Sequence, residues 1–140
     1  MLRIRRIPPV VLFLAAALLL VVQAHCAPMP NPQETVTVTD SDNGRQVSLA
    51  RGGTLTVRLE AIPGTGYGWK LVKAAPDQLT PLGESVLETS KEGVPGAREH
   101  QVFRFRARAS GSGVLELHSV RPWEKDVPPA KTYRLEVQVR

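Results

Sequence analysis

Apolar and polar residues alternate along most of the chain from residue 35 onward. The segment TVTVT at residues 35–39 places valine at every second position, and the same period recurs at residues 47–49, 55–59, 102–108, 115–117 and 133–139. A period of two is typical of a β-strand with one buried face. With a further strand expected to begin at Trp69, the pattern predicts about seven strands.

Turn-forming residues separate these segments. Residues 40–44 (DSDNG), 51–53 (RGG) and 110–113 (SGSG) carry the residue types that favour turns. No segment has a convincing helical period, and residues 74–79 are expected to form one helical turn at most. About seven short strands in roughly a hundred residues predict an all-β fold, an immunoglobulin-like antiparallel β-sandwich. Its core is expected to include Leu55, Leu59, Phe103, Phe105, Leu115 and Leu135.

The N-terminal residues have the order of a secretory signal peptide. Three arginines within the first six residues precede an apolar run at residues 10–22, and small residues follow at Ala24 and Ala27. The run is shorter than the roughly 20 residues that cross a bilayer, so we expect cleavage and export to the periplasm or the exterior. The predicted organisation is a signal peptide at residues 1–26, a flexible proline-rich linker at 27–34 and a β-sandwich domain at 35–140.

Cys26 is the only cysteine and lies at the predicted cleavage boundary. The mature domain would therefore contain no disulfide, and its core must stabilise it unaided. An alternative is a lipoprotein anchored at Cys26, although the preceding QAH fits that signal poorly. Without the leader the net charge falls from +5 to +2, with fifteen basic and thirteen acidic residues, which does not favour nucleic acid as a partner. No feature demands more than a monomer.

Three loops between the predicted strands are candidate binding elements. We call them the first loop (residues 61–68), the middle loop (91–100, KEGVPGAREH) and the last loop (121–130, RPWEKDVPPA). Loops after alternate strands of a sandwich emerge at the same end, so we expect the three to form one wedge that suits a cleft in another protein. Trp69 is expected in the core, whereas Trp123, flanked by proline and charged residues, is expected to be exposed for binding.

The mature chain offers little for catalysis. It has no cysteine nucleophile, and its two histidines, His100 and His118, have a separation that does not match a metal-site spacing. The GTG in the first loop lacks the βαβ context of a dinucleotide fingerprint. We therefore expect a protein that is not an enzyme and needs no metal or cofactor.

Together the three loops resemble those of the chagasin family of cysteine peptidase inhibitors. The first loop of that family follows Asn-Pro-Thr-Thr-Gly-Tyr/Phe-x-Trp, which residues 62–69 match as IPGTGYGW, and its last loop begins Arg-Pro-Trp, as residues 121–123 do. The family's middle loop is glycine-rich, and residues 93–96 are a looser counterpart. The resemblance covers about residues 35–140, with the motifs in the same order.

The resemblance implies reversible, non-covalent inhibition of a papain-like cysteine protease. The first loop would enter the active-site cleft, and the other two would bind its flanks, with Trp123 packing on an aromatic surface of the enzyme. The implied protease-binding residues are Pro63, Gly64, Thr65, Gly66, Tyr67, Gly93, Gly96, Arg121, Pro122 and Trp123, with Trp69 as a structural anchor.

Two positions depart from the family pattern. Ile62 stands where the family has asparagine, and Gly64 stands where it has the first threonine. The missing side chain at Gly64 either lowers affinity or favours a narrower cleft, or it lets the backbone approach more closely. The alternative function is a secreted immunoglobulin-like module that binds another protein without inhibiting a protease.

Overall fold

The computed structural model describes residues 34–89, 94 and 98–140. The predicted signal peptide and nearly all of the predicted linker therefore lie outside the described residues. The described residues form nine β-strands and two 3-10 turns, Asp40–Asp42 and Pro63–Thr65. The strands are β1 (Thr35–Thr39), β2 (Gln46–Leu49), β3 (Thr54–Ala61), β4 (Gly68–Ala74), β5 (Leu79–Pro81), β6 (Val86–Thr89), β7 (Glu99–Ala107), β8 (Gly111–Val120) and β9 (Lys131–Val139). No helix in this part of the chain is long and apolar enough to cross a membrane.

The strands make two sheets that pack as a sandwich. One sheet has the order β1-β3-β7-β5, with β6 also paired to β7, and the other has the order β2-β9-β8-β4. The predicted all-β sandwich is confirmed, but its pairing is not wholly antiparallel. Strand β1 runs parallel to β3, and β2 runs parallel to β9. Between β1 and β3 the chain passes through β2, which lies in the opposite sheet. This crossover allows β3 to run in the same direction as β1.

Strands β5 and β6 add to the seven expected ones. They have only three and four residues, and most of their side chains are exposed. Without an alternating apolar face they leave no period-two pattern in the sequence. Residues 75–79 form a single hydrogen-bonded turn, in which the N–H of Leu79 donates to the oxygen of Ala75 over 2.9 Å, as the sequence indicated.

The core lies between the two sheets. All six residues predicted to face inward are buried, and each contributes about 1.5–3 kcal/mol of hydrophobic stabilisation when fully buried. Trp69 is only 7% exposed, as expected. Its ring packs edge-on against Tyr133, with 6.4 Å between the ring centroids. Trp69 therefore ties the start of β4 to the core.

Strand register brings the ends of the strands that flank the three loops to one end of the sandwich. Ala61, at the end of β3, pairs with Glu99, at the start of β7, and Glu99 also pairs with Thr89 of β6. In the other sheet, Gly68 pairs with Val120. Because residues 62–67 connect the two sheets directly, these strand ends lie at the same end, which we call the loop end.

Candidate functional site

The first loop is a tight turn closed by its own hydrogen bonds. Thr65 donates to the carbonyl oxygen of Ile62 twice, from its hydroxyl over 2.7 Å and from its backbone N–H over 3.0 Å. The N–H of Gly66 donates to the oxygen of Pro63 over 2.9 Å. The Thr65 hydroxyl thus braces the loop from within, so the short 3-10 turn projects with a defined shape.

Gly66 is required by two independent features of this turn. Its φ of +80° lies in the left-handed region that favours glycine. A Cβ added to Gly66 would lie 2.2 Å from Cη2 of Trp123. The indole ring of the last loop therefore lies against the glycine of the first loop. Gly64 differs, because a Cβ added there would meet nothing within 4 Å.

Arg121 joins the first loop to the last loop. Its Nε donates to the carbonyl oxygen of Thr65 over 3.0 Å. Its guanidinium carbon lies 4.3 Å from the ring centroid of Tyr67, a cation–π distance. Its Nη1 is 3.1 Å from Oε1 of Glu124. The guanidinium thus contacts the first loop, at Thr65 and Tyr67, and the last loop, at Glu124.

Gln101 supports the base of the first loop from the opposite sheet. Its Oε1 accepts from the N–H of Trp69 over 2.8 Å, and its Nε2 donates to the oxygen of Trp69 over 2.9 Å. Strand β4 is the edge of its sheet, so this amide satisfies backbone groups that no neighbouring strand pairs. The indole N–H of Trp69 donates to the oxygen of Glu60 over 2.9 Å, which fixes the tryptophan between β3 and β4.

Gln101 and Glu124 were missed by the sequence analysis. Gln101 lies on the same inward face of β7 as Phe103 and Phe105. A polar side chain at an inward position needs a hydrogen-bond partner, and this could have identified Gln101 from the sequence. Glu124 lies three residues after Arg121, a spacing that allows an ion pair in a turn, but nothing in the sequence alone distinguished this carboxylate from the other charges of the loop.

Each of the three loops exposes a large apolar side chain. Ile62 is 59% exposed in the first loop, Val94 is 51% exposed in the middle loop, and Trp123 is 66% exposed in the last loop. The expected exposure of Trp123 is therefore confirmed. Pro63, Gly64, Thr65 and Pro122 are exposed as well, and Tyr67 is half-buried. Gly93 and Gly96, the predicted residues of the middle loop, lie outside the described residues.

The two histidines of the described residues lie on different sheets, His100 on β7 and His118 on β8. Nε2 of His118 is 2.7 Å from Oε1 of Glu116. This hydrogen bond, assisted by the charge of Lys73 and opposed by partial burial, holds the pKa of Glu116 below its usual value. The described residues contain no group of three or more metal-ligating side chains.

Comparison with known proteins identifies the family of this chain. Residues 48–137 match the model of a family described as Chagasin family peptidase inhibitor I42. Amoebiasin-1 from Entamoeba histolytica is 25% identical over 105 residues, which are 75% of this chain and 100% of that protein.

Solved structures of other proteins are similar in fold. The crystal structure of the cysteine protease inhibitor EhICP2 from Entamoeba histolytica has a TM-score of 0.70 at 17% identity, covering 80% of this chain and 100% of that one. The structure of PbICP-C in complex with falcipain-2 has a TM-score of 0.50 at 16% identity, covering 76% and 99%. The family model spans more than half of the chain, and the chain therefore belongs to the chagasin family of peptidase inhibitors, which are not enzymes.

Proposed function

We propose that this chain inhibits papain-like cysteine proteases by placing its loop end in the active-site cleft. The observation that carries the proposal is the loop end itself, where three loops expose Ile62, Val94 and Trp123 around a turn held in shape by internal hydrogen bonds. Exposed apolar side chains on rigid loops are the residues that bind a partner at low entropic cost. A fold relative bound to falcipain-2, PbICP-C, is consistent with this assignment.

The first loop is the element that would enter the cleft. Its 3-10 turn, Pro63–Thr65, is narrow because Gly64 carries no side chain and has open space around it. The carbonyl oxygens of Ile62 and Pro63 already accept hydrogen bonds inside the turn. A protease would have to break this turn to extend the chain for attack, so the loop would occupy the cleft without being cleaved. Inhibition would be reversible and non-covalent.

The other two loops would bind the flanks of the cleft. Trp123, exposed in the last loop beside Pro122, presents an aromatic face that suits an apolar or aromatic surface of the enzyme. Gly93 and Gly96 are proposed to bind the opposite flank, and Val94 between them is exposed. The complete protease-binding set comprises Pro63, Gly64, Thr65, Gly66, Tyr67, Gly93, Gly96, Arg121, Pro122 and Trp123, with Trp69 as the anchor.

The proposed place of action is outside the cytoplasm. The basic and then apolar leader at residues 1–26 has the composition of a secretory signal, followed by a proline-rich linker at 27–34 and the inhibitor domain at 35–140. Export would deliver the inhibitor to the periplasm or the exterior, where it would meet a protease as a monomer.

Titration of the mature domain, residues 27–140, into papain and a cathepsin-L-type enzyme tests the function. The expected result is loss of residual activity near equimolar inhibitor, with the domain intact by mass spectrometry after prolonged incubation. Full protease activity in the presence of micromolar folded domain would contradict the proposal and favour a binding module with another partner.

A further inference from the structure

We propose that Arg121 is an internal brace between the first and last loops, and that Glu124 is the residue that positions it. This inference rests on the proposed function and refines it, because the resemblance to the family assigns Arg121 to direct protease contact. In the structure, Nε, Nη1 and one flat face of its guanidinium instead have partners inside the molecule.

The guanidinium of Arg121 is engaged on three sides. Nε donates to the carbonyl oxygen of Thr65 over 3.0 Å, and Nη1 lies 3.1 Å from the carboxylate of Glu124. The flat face of the group lies over the ring of Tyr67, 4.3 Å from its centroid. The Arg121 side chain is 33% exposed, whereas Trp123 is largely exposed. An approaching protease would therefore meet Trp123 before it reaches Arg121.

The local backbone explains why Glu124 can hold Arg121. The N–H of Glu124 donates to the carbonyl oxygen of Arg121 over 3.1 Å, which closes a four-residue turn. Pro122 and Trp123 occupy the two central positions of this turn, and proline favours the first of them. The turn therefore projects Trp123 at its tip while its two ends form the ion pair at its base.

Besides the stacking on Tyr67, two contacts connect this turn to adjacent residues of the first loop. Arg121 binds the Thr65 carbonyl, and the Trp123 ring lies against Gly66. Thr65 and Gly66 are adjacent, so the last loop holds the first loop at neighbouring points through two different side chains. The first loop in the cleft and the last loop on its flank would therefore dock as one preformed unit. Little conformational entropy would then be lost from these two loops on binding.

Arg121→Lys keeps the positive charge and removes the geometry of the brace, and amide exchange in the free protein separates a brace from a direct protease contact. In Arg121→Lys the charge remains, but a lysine has neither the Nε–H directed at Thr65 nor a planar group to stack on Tyr67. We expect the inhibition constant against papain to rise about tenfold, the loss expected for a charged hydrogen bond. Glu124→Gln should raise it about twofold to fivefold, as expected for a partly exposed ion pair. Arg104→Lys is the matched control, because Arg104 binds Glu88 at 2.8 Å on the outer face of a sheet.

A second readout examines the free protein. Amide exchange followed by NMR in the mature domain should be faster for Thr65 and Gly66 in Arg121→Lys and Glu124→Gln than in wild type. The melting temperature should remain near that of wild type, because both side chains lie at the surface. Arg104→Lys should leave the exchange of Thr65 and Gly66 and the inhibition constant unchanged.

Wild-type inhibition by Arg121→Lys, or unchanged exchange of Thr65 and Gly66, would overturn the brace. If the wild-type domain itself fails to inhibit, the proposed function is wrong, whereas the exchange experiment still decides whether Arg121 and Glu124 order the first loop. The two failures are therefore distinguishable.

Discussion

Gly66→Ala is the substitution that addresses the coupling between the two loops most sharply. The added Cβ would lie 2.2 Å from Cη2 and 2.8 Å from Cζ2 of Trp123. Ordinary carbon–carbon contacts are about 3.5–4.0 Å, so the indole ring must retreat by more than about 1 Å. In addition, alanine at a φ of +80° carries a strain of about 1–2 kcal/mol. The ring is exposed and can swing into solvent, so the domain should still fold.

The expected consequence is a loss of stability together with a loss of inhibition. The strain should lower the free energy of unfolding by about 1–2 kcal/mol. In a domain of this size, each kcal/mol lowers the melting temperature by about 4–8 °C. Displacing an aromatic anchor should raise the inhibition constant by at least about tenfold. Thermal unfolding followed by circular dichroism measures the first effect, and titration of papain activity measures the second.

Gly64→Ala is the matched control for stability. It lies in the same turn, but an added Cβ would meet nothing within 4 Å, and its φ is not in the left-handed region. Its melting temperature should equal that of wild type. The reasoning would be refuted if Gly66→Ala inhibited papain as strongly as wild type, or if both alanine variants lost the same stability.

Three further substitutions have defined outcomes. Trp123→Ala should weaken inhibition by more than about 1 kcal/mol and leave the melting temperature unchanged, because the side chain is largely exposed; equal affinity would remove it from the site. Gln101→Ala should cost about 1–3 kcal/mol in the free energy of unfolding, measured in urea, because the backbone N–H and oxygen of Trp69 lose their partner. Glu116→Gln should flatten the acid side of the stability–pH profile, and a profile identical to wild type would contradict this. The lowered pKa of Glu116 means that its stabilisation is present above the unfolded value of 4.5 and is lost as pH falls through the lower folded value.

The sequence predicted the sandwich well because most of its strands have one buried face. The alternation that identified residues 55–59 and 102–108 arises from burial on one side of β3 and β7, and the burial pattern of the two strands confirms their inward residues. The parallel pairings of β1 and β2 could not be predicted in this way. The alternation of apolar and polar residues within one strand is the same whether its neighbour runs parallel or antiparallel to it.

The loop end was only partly predictable. The proline and charged residues beside Trp123 indicated that it is exposed, whereas the position of Trp69 at the start of a strand indicated that it is buried. Both predictions depended only on adjacent residues. The contacts of Arg121 were not predictable, because Thr65 and Tyr67 lie more than fifty positions away and become neighbours only when the sheets pack. Local patterns therefore identified the loops, whereas the connections between them required the structure.

Binding to two blocked forms of papain tests the central claim most directly. In one form the catalytic thiol carries only a small methylthio group, and in the other a covalent peptidyl inhibitor fills the cleft. If the loop end occupies the cleft without reacting, the mature domain should bind the first form tightly and the second not at all, as measured by calorimetry. Equal binding to both forms would place the domain elsewhere on the protease and contradict the account.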